Sequence, residues 1–261
     1  MKGIKTMVKK MMKIVGIVFI VLLVVGICIL AYLCYQNLHW WEKDMKQIEK
    51  LGVVERQATL PNGNVINYGE LEGDVTMKHC GTQRLETERL ILRRFVSEDA
   101  EAMYKNWASD SEVTKYLTWP THSSIEVSKF VTDDWVNSYS NEKYYQWAIV
   151  LKENGDVPIG SISAVNMNED ISMIHIGYCI GRNWWNKGIT SEAMKAVMNF
   201  FFEEVEANRI EARHDPENPN SGKAMEKCGM KYEGTMRSAD RNNQGICDAA
   251  YYALLKSEWK K

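Results

Sequence analysis

The stretch YCIGRNWWNKGIT, residues 178–190, runs from a strand pattern through a short loop into the start of a helix. A helix N-terminus offers unpaired backbone N–H groups and the positive end of the helix dipole, which together bind anions. Gly188 lets the backbone approach a phosphate closely and Lys187 adds a positive charge, so the junction predicts a pyrophosphate site. An ordinary strand-to-helix turn is the alternative. The glycine patterns typical of dinucleotide and ATP sites do not occur in the sequence.

The segments on either side of this junction alternate between strand and helix patterns. Those before it predict a strand, two helices and three β-rich runs, in the order 84–95, 97–109, 123–141 and 144–180. Those after it predict a helix, a strand, a short helix and two last strands, in the order 189–205, 209–214, 221–229, 232–237 and 249–255. The first of these helices has its apolar face at Ala193, Val197, Phe200 and Phe201. The order describes a mixed α+β domain of about 180 residues.

Four segments in this region carry a family resemblance: TERLILRRF, GYCIGRNWWNKGITSEA, RIEARHDPENPNSGKAMEKCGMKYEG and DAAYYALLKSEW. In this order they resemble the RimJ/RimL-like (ribosomal-protein-alanine N-acetyltransferase-like) branch of the GNAT N-acetyltransferases. The resemblance covers residues 82–261 and implies the GNAT acyltransferase fold, in which a twisted mixed sheet splays to admit the cosubstrate. It implies transfer of acetyl from acetyl-CoA to a primary amine, either a protein N-terminus or a small amine, by direct attack.

The resemblance also implies the residues that bind acetyl-CoA. The family's pyrophosphate loop maps to Trp185, Asn186, Lys187, Gly188, Ile189 and Thr190. Trp185 stands where Arg or Gln is usual, and Thr190 replaces a small residue, where its hydroxyl could touch phosphate or cap the helix. Family members pair the pantetheine amides with the end of the preceding strand, so Cys179 and Ile180 are expected to offer backbone groups there. An opened strand edge leaves such groups unpaired.

A second motif implies contacts near the thioester. The spacing His-x-x-x-Asn-x-x-Ser at His214, Asn218 and Ser221 resembles the family's next contact, with Asn218 reaching the pantetheine arm and Ser221 starting a helix. Helix capping is the alternative role for both. Many members carry a Tyr acid four residues after the Ser, but Met225 stands there in this chain. The branch therefore implies Ser221 as the acid that protonates the leaving thiolate.

The general base is predicted less directly. The branch places a carboxylate shortly after a Glu-Gly pair, which maps to Asp240, although a solvated loop acid has the same appearance. His175, in the middle of a strand, is the rival base, and a hydrogen-bonded sheet histidine is its alternative role. Direct attack needs no covalent intermediate, so Cys179 is interpreted as an apolar strand residue and not as a nucleophile.

An aromatic tract from Tyr116 to Trp147 is the candidate acceptor cleft. Its further aromatic residues are Trp119, Trp135, Tyr139, Tyr144 and Tyr145. Loops on a rigid scaffold usually carry specificity, but core packing explains most of these side chains equally well. The sequence leaves the acceptor open.

The N-terminal part predicts a membrane anchor. After a basic tail at residues 1–13, the run from Ile14 to Cys34 contains 21 residues without a charge, enough to span roughly 30 Å of hydrocarbon. A signal peptide is the alternative, but its apolar run is shorter and ends in a small-x-small cleavage site. We assign a single transmembrane helix to residues 14–35. Five lysines before the run and three after it favour a cytoplasmic N-terminus, which would place the following domain outside the cytoplasm. A domain that uses acetyl-CoA is instead expected to need the cytoplasmic side.

Residues 36–80 are predicted to be a linker with a short hairpin that turns at Pro61-Asn62-Gly63-Asn64, before an acetyltransferase domain at 81–261. The segment weakly resembles the anchor of membrane-tethered α/β-hydrolases, but no Gly-x-Ser-x-Gly nucleophile elbow follows, which excludes hydrolase chemistry. A plain linker is the alternative.

Composition limits the remaining functions. The net charge is -2 with basic and acidic residues mixed, so nucleic acid is not an expected partner. The six cysteines and five histidines show no metal-ligand spacing, so no metal cofactor is expected. The alternative function from another class is a membrane-tethered acyl-CoA-binding or interaction module without turnover. The sequence does not indicate an oligomeric state.

Overall fold

The computed structural model describes residues 53–59, 65–71 and 77–259. The chain divides into two compact units, residues 1–74 and 75–261. In the first unit, β1 (Val53–Thr59) and β2 (Val65–Leu71) pair antiparallel, with Thr59 opposite Val65. The predicted turn at 61–64 between them and the predicted transmembrane helix at 14–35 lie outside the described residues. Within the described ranges, no helix has both the length and the apolar character needed to cross a membrane.

The second unit contains eight strands and five α-helices among its described residues. The strands are β3 (Leu85–Glu86), β4 (Leu90–Arg93), β5 (Gln146–Leu151), β6 (Pro158–Asn168), β7 (Met173–Ile180), β8 (Arg209–His214), β9 (Lys231–Asn242) and β10 (Gly245–Leu255). The helices are α1 (Ala100–Met103), α2 (Ser111–Thr114), α3 (Ile125–Ser138), α4 (Ile189–Glu203) and α5 (Pro219–Lys227). The predicted strand at 84–95 is divided between β3 and β4, and the predicted helix at 97–109 continues beyond α1 as one π-helical turn, Tyr104–Ala108.

All eight strands form one sheet in the order β3-β4-β5-β6-β7-β8-β10-β9. Every neighbouring pair is antiparallel except β7 and β8, which run parallel. This parallel pairing covers only Met173 to His175, opposite Arg209 to Glu211. Beyond it β7 pairs with β6 alone and β8 with β10 alone, so the sheet splits open from Ile176 onward. The expected splayed α+β sheet is therefore present.

Each face of the sheet has its own core. On one face α4 inserts Ala193, Val197, Phe200 and Phe201, all buried as predicted, against sheet residues that include Ile174, Ile176 and Ile180. On the other face Trp107, Val113 and Trp135 pack near Cys179. Because side chains alternate along a strand, the even-numbered residues of β7 point to the α4 face and the odd-numbered ones to the α3 face.

Residues 77–80, which the sequence assigned to the linker, pack on the second unit. Met77 is buried in the α4-side core, and Lys78 N donates to Val205 O at 2.8 Å.

Candidate functional site

The split between β7 and β8 opens into a cavity of about 850 Å³, a volume typical of ligand sites. Most of the predicted site residues line it: Cys179, Ile180, Trp185, Asn186, Gly188, Ile189, Thr190, Asn218, Ser221 and Asp240. Lys187 does not line the cavity; it lies exposed at the back of the loop, and its carbonyl accepts from Arg89 Nη1 at 3.1 Å. The structure thus gathers residues from four separate stretches of sequence around one opening.

The loop before α4 contains two left-handed residues and leaves the N-terminus of the helix without a side-chain cap. Asn186 (φ 60°) and Gly188 (φ 75°) both adopt the left-handed conformation, which Asn tolerates and Gly allows freely. Gly188 caps the helix without any side-chain hydrogen bond to the first-turn N–H groups, so these groups remain available to a ligand. Trp185 fixes the other end of the loop, because its Nε1 donates to Ile180 O at 2.9 Å.

The open edge of β7 presents the backbone groups of alternate residues. In an antiparallel ladder, neighbouring residues point their N–H and C=O groups to opposite sides of the strand. Gly181 N donates to Ile159 O across β6 at 2.9 Å, so the backbone groups of Cys179 also point towards β6. Those of Tyr178 and Ile180 point to the open side. Cys179 therefore does not present its backbone to the cavity as expected; Tyr178 does, and Ile180 presents its N–H, because its carbonyl accepts from Trp185 Nε1.

The Cys179 side chain is not a nucleophile either. Burial raises the pKa of its thiol, and Sγ lies 3.3 Å from Ser161 Oγ in the α3-side core. A protonated, buried thiol is inert, so the interpretation of Cys179 as a packing residue fits its environment.

Ser221 faces Tyr178 across the opening. Tyr178 Oη lies 2.9 Å from Ser221 Oγ and donates to Ser221 O at 3.1 Å. Burial raises the pKa of the Tyr178 phenol, against the opposing effect of its hydrogen bond to Ser221, so the phenol stays protonated and remains a donor. The Ser221 hydroxyl therefore bonds a phenol and does not cap α5. Asn218 stands at the N-cap of α5 but makes no side-chain capping bond, which leaves its amide available to a ligand.

His175 and Glu211 form a buried pair where the split begins. His175 Nδ1 lies 3.0 Å from Glu211 Oε1, and Arg209 Nη2 donates to the same carboxylate at 3.1 Å. The hydrogen bond from His175 lowers the pKa of Glu211, so Glu211 is ionised and accepts a hydrogen bond from the Nδ1–H of His175. This arrangement leaves Nε2 of His175, which has no partner among the described residues, as an acceptor at the cavity wall.

Asp240 is held by a cation. Arg213 Nε donates to Asp240 Oδ2 at 2.6 Å and Arg241 N donates to Oδ1 at 2.8 Å. Burial alone would raise the pKa of Asp240, but these bonds lower it below the ordinary value of an aspartate. Both oxygens of Asp240 thus accept hydrogen bonds, whereas, within the described part of the chain, Nε2 of His175 remains free at the cavity wall.

The aromatic tract divides between the cavity and the core. Tyr116, Trp119 and Trp135 line the cavity on the α3 side. Tyr145 is instead fully buried and stacks on Trp147 in the α4-side core. The tip of the β9–β10 hairpin closes over the cleft, because Asn243 Nδ2 donates to the carbonyls of Thr114 and Trp119, both at 2.8 Å.

Two site residues escaped the sequence analysis. Tyr178 lies three positions after His175 on the same strand, so strand alternation alone places its side chain on the face opposite to that of His175. Arg213 gave no signal, because its partner Asp240 lies 27 residues later and reaches it only through the strand order β8-β10-β9. Among the described residues no group of His, Cys, Asp or Glu is arranged to hold a metal ion.

Comparison with known proteins gives consistent matches. Residues 89–231 match the family described as acetyltransferase (GNAT) domain. The uncharacterized N-acetyltransferase p20 of Bacillus licheniformis is 33% identical over 178 residues, which cover 68% of this chain and 98% of that protein. The [ribosomal protein uS5]-alanine N-acetyltransferase of Escherichia coli is 22% identical over 185 residues, or 68% and 86% of the two chains. The crystal structure of an acetyltransferase (GNAT family) from Bacillus anthracis superimposes with a TM-score of 0.59 at 28% identity, covering 67% of this chain and all of that one.

Proposed function

This chain belongs to the GNAT acetyltransferase family, and from its split sheet we infer how it acts as an acetyl-CoA-dependent N-acetyltransferase of the RimJ/RimL-like branch. The observation that carries the inference is the open edge of β7, which ends in the uncapped N-terminus of α4. An extended ligand with amide groups at one end and a diphosphate at the other matches that sequence of donors and acceptors. Acetyl-CoA has this form and supplies an activated thioester.

We propose these contacts for acetyl-CoA. The first-turn N–H groups of α4 and the loop from Trp185 to Thr190 bind the pyrophosphate. The backbone groups of Tyr178 and the N–H of Ile180 pair with the pantetheine amides, and the free amide of Asn218 meets the same arm from α5. Ser221 then lies at the thioester end, next to Tyr178.

The proton transfers are assigned to opposite faces of β7. His175 Nε2 takes a proton from the attacking amine on the α3 side, while Glu211 holds the ring through Nδ1. On the α4 side Ser221 Oγ donates to the departing sulfur, and Tyr178 donates to Ser221. The proton taken from the amine stays on His175 and the one given to sulfur leaves the Ser221–Tyr178 pair, so both groups exchange a proton with solvent before the next turnover. Asp240, paired with Arg213, orders the acceptor wall in this proposal and does not serve as the base.

The acceptor is a primary amine, and we propose a protein N-terminus as the first class to test. The name of the Escherichia coli relative gives an alanine of a ribosomal protein as its acceptor. Small amines are the second class, since Trp119 and Trp135 line the same cavity as the proposed base.

The test is a calorimetric titration of the full-length chain with acetyl-CoA and with S-acetylpantetheine, which lacks the diphosphate and the nucleotide. We expect micromolar binding of acetyl-CoA and much weaker binding of the fragment. Thiol release is then measured with alanine-terminated peptides and with small amines. Absence of acetyl-CoA binding would overturn the proposed function.

We further propose a single-pass membrane anchor at residues 14–35, with the catalytic unit on the cytoplasmic side. The 21 uncharged residues from Ile14 to Cys34 support the anchor, and the need for acetyl-CoA supports the orientation. The lysines at 1–13 favour the opposite orientation. Reporters fused after Lys261 test the orientation. If a reporter that works only outside the cytoplasm is active and a cytoplasmic reporter is not, the proposed orientation is wrong.

A further inference from the structure

The turn between β3 and β4 lies against the loop that precedes α4, and the mechanism above does not use it. Glu192, in the first turn of α4, links the two. Its Oε1 accepts from Thr87 Oγ1 at 2.6 Å and from Arg89 N at 3.0 Å, while Oε2 accepts from Arg89 Nε at 2.7 Å. One carboxylate therefore holds the turn to the start of the helix.

Arg89 extends this link to the loop itself. Its Nη2 lies 2.6 Å from Glu192 Oε2, and its Nη1 donates to Lys187 O at 3.1 Å. Nη2 also lies 3.7 Å from the position that a Cβ on Gly188 would occupy. The guanidinium thus touches both the carboxylate and the backbone of the loop that forms the anion site.

The negative charge of Glu192 disfavours the binding of an anion at the N-terminus of its own helix, α4. A carboxylate in the first turn stabilises a helix through the dipole, but it repels a second anion at the same N-terminus. Burial would raise the pKa of Glu192, yet the hydrogen bonds from Thr87 and Arg89 lower it, so the carboxylate is ionised at neutral pH. A cation must offset this charge if a diphosphate is to bind there.

We propose that Arg89 is a positioning residue for the acetyl-CoA loop, which cancels the charge of Glu192 and holds the Lys187 carbonyl away from the anion site. The proposal rests on the proposed function, since it assumes that the diphosphate of acetyl-CoA binds at the N-terminus of α4. It assigns a role to the first residues of the segment TERLILRRF: Thr87 fixes the carboxylate of Glu192 and Arg89 neutralises it.

The experiment compares Arg89→Gln with the double variant Arg89→Gln/Glu192→Gln in the full-length chain. Calorimetry measures the Kd of acetyl-CoA at low and at high salt, and thiol release measures kcat and KM. We expect Arg89→Gln to weaken binding about five- to tenfold at low salt, and less at high salt, with kcat at saturating acetyl-CoA nearly unchanged. Removing the carboxylate in the double variant should restore most of the lost affinity.

Two matched controls accompany these variants. Arg84→Gln removes a guanidinium from an exposed ion pair with Glu86 on the preceding strand, 3.0 Å apart, and should leave the Kd unchanged. Arg89→Lys keeps the charge but loses the forked contact with Glu192 and the Lys187 carbonyl, so it should fall between wild type and Arg89→Gln. It also keeps the test usable if Arg89→Gln folds poorly by circular dichroism.

Each outcome is decisive. If the double variant binds acetyl-CoA as weakly as Arg89→Gln, or more weakly, the turn has only a structural role and the proposal is wrong. Equal affinity of Arg89→Gln and wild type also overturns it. If wild type itself fails to bind acetyl-CoA, the proposed function fails, and that result is separate from either of the others.

Discussion

Replacing His175 by Gln tests the identity of the base. Gln keeps an amide donor near Glu211 but has no nitrogen that can take a proton, so the orienting bond survives while the base is lost. Glu211 also keeps its bond from Arg209 at 3.1 Å, so the substitution leaves no unpaired carboxylate. General base catalysis contributes about 10²- to 10⁴-fold, and we expect kcat to fall about 10³-fold, equivalent to roughly 4 kcal/mol of transition-state stabilisation.

The assay follows thiol release at saturating acetyl-CoA and amine between about pH 5.5 and 9.5. Asp240→Asn is the matched comparison. Because Arg213 and the Arg241 amide lower the pKa of Asp240, this carboxylate is already ionised throughout the range, and its loss should reduce kcat only a few-fold.

The refuting result is equally specific. If Asp240→Asn loses more activity than His175→Gln, then the carboxylate is the base despite its ion pair.

Three further substitutions test the other parts of the site and the core. Ser221→Ala and Tyr178→Phe should each lower kcat about 10- to 100-fold, and the double variant should be no slower than the slower single one, because the hydroxyls act as one pair 2.9 Å apart; additive losses would show independent roles. Gly160→Ala should destabilise the fold by about 1–3 kcal/mol in urea unfolding, because the new Cβ would collide with the Cys179 carbonyl; an unchanged midpoint would contradict this. Phe201→Ala, which opens a cavity at a fully buried ring, should cost about 3–5 kcal/mol and leave the Kd of acetyl-CoA unchanged in the folded protein.

The parts of the fold that the sequence predicts are those that local pattern controls. The buried positions of α4 follow from a helical period within 15 residues, and the loop before α4 is proposed to bind the cosubstrate because of the family resemblance of its motif. Ala193 and Val197 need no information from the rest of the chain to be assigned to the core, because any protein surface that covers α4 must meet the same apolar face.

The sequence is least informative where a role depends on a distant partner. Cys179 and Tyr178 are adjacent, and which of them opens its backbone to the cavity depends on the pairing of β7 with β6, seen in the Gly181–Ile159 bond. Likewise Asp240 looks like a free loop acid in the sequence. Its ion pair with Arg213 forms only because β8, β10 and β9 lie side by side.

The positions of His175 and Tyr178, to which the proposed mechanism assigns proton transfer, follow from one strand. His175 and Tyr178 are three residues apart on β7, an odd spacing, so the pleat directs them to opposite faces. In the proposed mechanism the amine is deprotonated on one face while the thiolate is stabilised on the other. A one-residue slip of β7 against β6 would exchange the two faces and remove both groups from their partners, Glu211 and Ser221. The close approach of the backbones at Gly160, where no side chain fits, therefore helps to fix the register on which the chemistry depends.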